Sequence, residues 1–95
     1  MNDEKDLTVK KAFSLAVKNH QEGKIDIAQK LYNQVLKIDP NYAKAHNNLG
    51  IIFKGLGENL KEKECYKKAI EIDPNYVKAH NNLGIIFKAV SYTHL

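Results

Sequence analysis

The sixteen residues Asp39–Lys54, DPNYAKAHNNLGIIFK, return thirty-four positions later as Asp73–Lys88, DPNYVKAHNNLGIIFK. Fifteen of the sixteen positions are identical, and the exception is Ala43 against Val77. A fainter correspondence at the same period pairs Gly23 with Gly57, Tyr32 with Tyr66, Leu36 with Ile70, Ile38 with Ile72 and Asp39-Pro40 with Asp73-Pro74. A unit this short cannot bury an apolar face alone. Units of this kind stack, and each covers its neighbour.

The spacing within one period is helical. Between Lys44 and Lys54, Leu49, Ile52 and Phe53 fall at i, i+3 and i+4, which places them on one helix face. Pro40 ends the preceding helix, and Asn41 is the expected N-cap of the next. Gly55 and Gly57 break the run. A second helical pattern follows from about Glu58 to Ile72, through Leu60, Cys65, Tyr66, Ala69, Ile70 and Ile72. Asp73-Pro74 stops it, because a residue before proline is pushed out of the α region. Each period therefore reads helix, tight turn, helix, tight turn, and the expected fold class is all-α with about five helices.

A 34-residue helix–turn–helix unit with these residues resembles the tetratricopeptide repeat family over roughly Val9 to Lys88. Leu49-Gly50, Phe53, Gly57, Tyr66, Ala69 and Pro74 occupy the signature places of the second unit. Leu15-Ala16, Gly23, Ala28, Tyr32 and Pro40 do so in the first, and Leu83-Gly84 and Phe87 in the third. The resemblance implies a right-handed solenoid of antiparallel helix pairs. Its units are 9–42, 43–76 and the first helix of a third at 77–89, after a flexible segment 1–8. Three positions depart from the pattern: Glu62 and Val35 replace small residues, and Asn19 replaces an aromatic. Gly50 is expected to leave room for the Glu62 stem, with its carboxylate reaching water.

Identity between the second and third units collapses after Lys88, to none of seven positions when 55–61 is set against 89–95. The string VSYTHL is encodable as GTC TCT TAT ACA CAT CTN, which resembles a transposase sequencing adapter. Val90–Leu95 is therefore read as a non-native tail, with the natural chain continuing beyond it. Sequencing across the Lys88 codon tests this, and an uninterrupted natural frame ending at Leu95 would remove the idea. The third unit then lacks a second helix, so Leu83, Ile86 and Phe87 should be partly uncovered and favour self-association.

Composition narrows the functional classes. The chain is 43% hydrophobic and 27% charged, a foldable balance. Its formal charge is +4, but the fifteen basic residues are all lysine and lie dispersed, mostly beside glutamates. Nucleic-acid binders lean on clustered arginine, so no nucleic-acid partner is expected. No apolar run is long enough for a membrane helix, and the acidic start MNDEKD has no leader pattern, so a cytoplasmic location is the default. The single cysteine, Cys65, excludes a disulfide framework. It reads as buried filler, since no Cys–His arrangement accompanies it.

The resemblance also implies a concave groove lined by the first helix of each unit. Its groove-facing places fall on Lys44, Asn47, Asn48, Ile51 and Lys54, and again on Lys78, Asn81, Asn82, Ile85 and Lys88. An amide can both donate to and accept from a peptide backbone. A ladder of asparagines at this place looks like that of the repeat domains in O-linked glycosyltransferases, and the neighbouring lysines favour acidic peptides. The same amides could instead serve as structural ties between helices. The family's carboxylate clamp is incomplete. Asn48 and Lys78 match it, but Phe13, Val17 and Asn82 stand where its other members belong. His46 and His80 lie one unit apart, about 10 Å by helix spacing, too far for one zinc with bonds near 2 Å. They occupy the family's bulky packing position, and no metal site or cofactor is expected. The expected function is a non-catalytic protein-interaction module that binds peptide segments in its groove. The alternative is the substrate-recruiting arm of a larger enzyme, a glycosyltransferase or another group-transfer enzyme, which the downstream gene sequence would reveal.

Overall fold

The computed structural model describes the backbone of residues 2–93 and the side chains of residues 4–85. Five helices follow one another: α1 (Asn2–Gln21), α2 (Ile25–Ile38), α3 (Ala43–Gly55), α4 (Asn59–Ile72) and α5 (Val77–Thr93). No strand occurs among the described residues. α1 packs on α2 and α3 on α4 as pairs, while α2–α3 and α4–α5 contacts join each pair to the next helix. The result is elongated, 54 × 28 × 17 Å, as stacking predicts. Helix α1 begins at Asn2, so residues 2–8 form the first turns of that helix. The side chains of Ile86, Phe87, Lys88 and the tail Val90–Leu95 lie outside the described residues.

The turns inside each pair rest on glycine. Gly23 and Gly57 adopt φ of 79° and 75°, the left-handed region where a Cβ is strained. Lys24 N–H donates to Asn19 C=O at 2.9 Å, and Glu58 N–H donates to Phe53 C=O at 2.9 Å. These bonds close the last turn of the preceding helix over the glycine, as in a Schellman motif.

The turns between pairs explain why DPNY recurs. Asp39 and Asp73 each accept a hydrogen bond at Oδ1 from the N–H two residues on, Asn41 at 3.1 Å and Asn75 at 3.2 Å. That is an Asx turn. His46 Nε2 then donates to Pro40 C=O at 2.9 Å, and His80 Nε2 to Pro74 C=O at 2.7 Å. The motif therefore extends four residues beyond the tyrosine, to a histidine that ties the first helical turn back to the proline. These histidines are turn clamps and not the packing side chains expected: His46 is half-buried and His80 exposed. Asn41 does not cap α3. The N-cap is Tyr42, without a side-chain cap bond.

The core runs along the stack. Val9, Ala16, Ala28, Tyr32, Val35, Ala45, Leu49 and Ile52 form one buried cluster. Tyr32 is its largest member, and Tyr66 and Ala69 are buried on α4 in the second pair. Burying a side chain of this size contributes about 1.5–3 kcal/mol. Gly50 makes the close approach: a Cβ there would run into Cε1 of Tyr66 and lie 2.7 Å from its Cδ1. The space at Gly50 is thus filled by the tyrosine ring and not by the Glu62 stem. Glu62 is only 5% exposed, so its carboxylate does not reach into water as expected. It accepts a hydrogen bond from the Tyr66 hydroxyl, which satisfies a group that would otherwise be costly to bury.

Candidate functional site: the cleft along the first helices

An open cleft of about 730 Å³ crosses the start of α3 and α5. The end of α1 nearest to it supplies Phe13 and Val17. The two turns supply Asn41, Tyr42, Asp73, Asn75 and Tyr76, while the helices themselves add Ala43, Lys44, Asn48, Val77 and Lys78. The period places these together. Tyr42 and Tyr76 are the same repeat position, as are Lys44 and Lys78, so each wall feature recurs one stack apart.

Three of the expected groove residues, Lys44, Asn48 and Lys78, line this cleft. Both lysines are exposed, and neither makes an ion pair among the described residues. Ile51 and Ile85 are exposed apolar side chains, 39% and 54% accessible, outside the cleft lining. Asn81 is exposed, also outside it.

Asn47 must be corrected. It is 1% exposed and serves as a tie between helices. Asn82 Nδ2 donates to Asn47 Oδ1 at 3.0 Å, and Asn47 Nδ2 donates to Asn48 Oδ1 at 3.4 Å. Asn48 Nδ2 donates to the Tyr32 hydroxyl at 3.2 Å, and that oxygen lies 3.4 Å from His20 Nδ1. The three amide donors point the same way, from α5 through α3 to α2. Because Asn48 already donates to the Tyr32 oxygen, the phenolic proton is free to point at His20. The Tyr76 hydroxyl is hydrogen-bonded to Asn47 as well. Asn48 is therefore half-committed to the cleft wall, while Asn82, half-buried and outside the cleft lining, is committed to Asn47.

A comparison of the two pairs shows why the asparagines differ. Tyr32 receives Asn48, whereas its repeat mate Tyr66 is held by Glu62, where the first pair has Ala28. Asn82 correspondingly meets Asn47 instead. In the first pair, the place of Asn47 is taken by Phe13, whose ring lies 5.0 Å from Tyr42 and 5.9 Å from Tyr32. The same junction is thus sealed once by aromatic packing and once by amides. Sequence reasoning did not single out Tyr42 and Tyr76 as cleft walls. Their signal was available, since an aromatic immediately before each first helix is unchanged between copies.

Burial raises the pKa of all these phenols and so disfavours their ionisation. Tyr32 is raised by burial, partly offset by the Asn48 hydrogen bond. Tyr76 is raised by burial, offset by Asn47 and reinforced by the Asp73 charge. Tyr42 is raised by burial and then by Asp39. Burial, with Glu64 beside it, also pushes the Cys65 thiol up to about 11 from 9.0. Its thiolate fraction at neutral pH should then be about a hundredfold below that of the unfolded chain. Iodoacetamide labelling followed by mass spectrometry should be correspondingly slow in buffer and fast in urea. Equal rates would show an open, ordinary thiol. No group of three His, Cys, Asp or Glu side chains suited to a metal occurs among the described residues. No described helix is long and apolar enough to cross a membrane.

Residues 19–57 and 64–90 match the family described as TPR repeat, and residues 43–76 match the tetratricopeptide repeat. The chain belongs to the tetratricopeptide repeat family, and with it to the class of protein-interaction repeat modules. No curated protein matches it by sequence. Among solved structures, it resembles MamA with a TM-score of 0.80 and 23% identity, over 87% of this chain and 48% of that one. It also resembles the first TPR of Spaghetti (RPAP3) bound to the HSP90 peptide SRMEEVD. There the TM-score is 0.76 and the identity 24%, over 84% of this chain and 64% of that one. The chain thus spans about half the length of MamA. At these identities the likeness establishes the fold.

Proposed function

We propose that this chain binds extended, acidic peptide segments of a protein partner in the cleft along α1, α3 and α5. The observation that carries the reading is the open cleft with Lys44, Asn48 and Lys78 in its lining. The lysines supply charge without being neutralised by a neighbour, and Asn48 is oriented by its bond to Tyr32. A preoriented amide loses little freedom on binding. Each hydrogen bond nets only about 0.5–1.5 kcal/mol and each exposed ion pair about 0–1 kcal/mol, so affinity for a short segment is modest. A solved relative in fold holds the peptide SRMEEVD, which carries two glutamates and an aspartate, and this supports the same ligand class.

The test is selection of a random peptide library on the chain, repeated with Lys44→Glu/Lys78→Glu. Both side chains are exposed, so circular dichroism should be unchanged. The wild-type chain should enrich acidic peptides, and the double reversal should weaken them several-fold, up to about thirtyfold for two lost ion pairs. Enrichment of neutral sequences, or binding indifferent to the reversal, would overturn the reading.

A further inference from the structure

We infer that the cleft is an anchor pocket for one large apolar side chain, phenylalanine or leucine, set within that acidic segment. The inference rests on the proposed function and names what the partner must carry. Five of the cleft's lining residues, Phe13, Val17, Tyr42, Tyr76 and Val77, are aromatic or β-branched. The first four are half-buried, so each keeps a face open to the cleft, while Val77 is 67% exposed. A volume of about 730 Å³ lies within the range that encloses small ligands, roughly 300–1,000 Å³. It accommodates a phenylalanine side chain with the backbone to either side.

Two further observations point the same way. One wall is fixed before any ligand arrives: the Tyr42 ring is held against Phe13 at 5.0 Å, with Tyr32 5.9 Å from Phe13 behind it. Rigid aromatic walls lose little entropy on binding, which is how anchor pockets gain affinity. The one difference between the two sixteen-residue blocks, Ala43 against Val77, also falls in this lining. It places a larger apolar side chain on the cleft while the other fifteen positions stay as they were. Charge selects the flanks of the segment. Lys44 and Lys78 stand against a single acid, Asp73, whose Oδ1 accepts from Asn75 N–H. The apolar side chain enters between the rings, and the acidic neighbours meet the lysines. No free carboxyl terminus is required, so an internal segment suffices.

The test uses two peptides with blocked ends, glutamates flanking a central phenylalanine in one and a central serine in the other. Binding to the full chain is measured by isothermal titration at low salt. The phenylalanine peptide should bind at least about tenfold more tightly, as filling one apolar pocket implies. Val77→Ser, which adds no charge, should narrow that preference to within about twofold. Lys78→Glu should weaken both peptides. Affinities of the two peptides within twofold of each other on the wild-type chain, a preference that survives Val77→Ser, or no binding of either peptide would overturn the anchor. The groove reading is judged separately, by the library selection. Acidic peptides enriched there without an apolar residue would sustain the groove and sink the anchor.

Discussion

Replacing Gly50 with alanine is expected to destabilise the fold, while the same change at Gly84 stabilises it. The two glycines occupy one repeat position in blocks that are otherwise almost identical. At Gly50 a Cβ would collide with the Tyr66 ring, at Cε1, at Cδ1 (2.7 Å) and at Cζ (3.0 Å). That ring is 1% exposed and closed in by its surroundings, so it cannot swing aside without opening the α3–α4 contact. Forcing a methyl group into a filled core costs about 1–3 kcal/mol, occasionally more. The helix-propensity gain of alanine over glycine, about 1 kcal/mol, offsets only part of this. At Gly84 nothing lies within 4 Å of the added carbon, so the propensity gain stands alone. In a domain of this size, 1 kcal/mol moves the melting temperature by about 4–8 °C. Thermal melts of the two single variants should therefore shift in opposite directions. A double variant, Gly50→Ala with Tyr66→Leu, should show strong coupling, because removing the ring removes the collision. Equal shifts at 50 and 84, or additive behaviour with Tyr66→Leu, would mean that the ring does not set the need for glycine.

The opposite signs expected at 50 and 84 also show what local sequence can and cannot carry. The period of thirty-four, the glycines at 23 and 57 and the Asp-Pro stops are local signals. They set where helices begin and end, and the helix pairs follow from them. Burial is decided by what stacks on a helix, and identical residues meet different neighbours in successive units. Leu49 is 4% exposed, whereas Leu15 at the same repeat position is 49% exposed. Asn47 is buried under Asn82 and Tyr76, whereas Asn81 is exposed. The groove assignment treated every copy of a position alike, so it placed Asn47 with Lys44 and Lys78, when only the lysines and Asn48 face the cleft. Glu62 shows the same limit from another side. Its long side chain suggested a carboxylate in water, but the hydroxyl of Tyr66, one turn along α4, offered a partner inside. A pattern of residue types does not reveal such pairwise satisfaction.

Tyr66 gives the second large expectation, a loss of stability confined to alkaline pH. Burial pushes its phenol well above the ordinary tyrosine value, and the neighbouring Glu62 adds to this through its charge and through the hydrogen bond it accepts. In the unfolded chain the same phenol ionises near 10. Above that pH the unfolded state releases a proton that the folded state retains. Unfolding is thus favoured progressively as pH rises, by up to about 1.4 kcal/mol per pH unit for a fully displaced group. Below the unfolded value the contribution is present in full. Tyr32, Tyr42 and Tyr76 are raised in the same direction, and the Cys65 thiol, at about 11, begins the decline near 9. None of these shifts offsets another. A chain of this size has a margin of about 5–14 kcal/mol, so the urea midpoint should be flat from pH 7 to about 9 and then fall steeply above 10. Tyr66→Phe separates the cause from general alkaline damage. It leaves the Glu62 carboxylate without its donor and should lower stability at pH 7 by about 1–3 kcal/mol. It also removes the titrating phenol, so its midpoint should decline less steeply above pH 10 than that of the wild-type chain. A wild-type midpoint at pH 11 equal to that at pH 8, or a Tyr66→Phe decline as steep as the wild type, would show that the buried phenol does not govern alkaline stability.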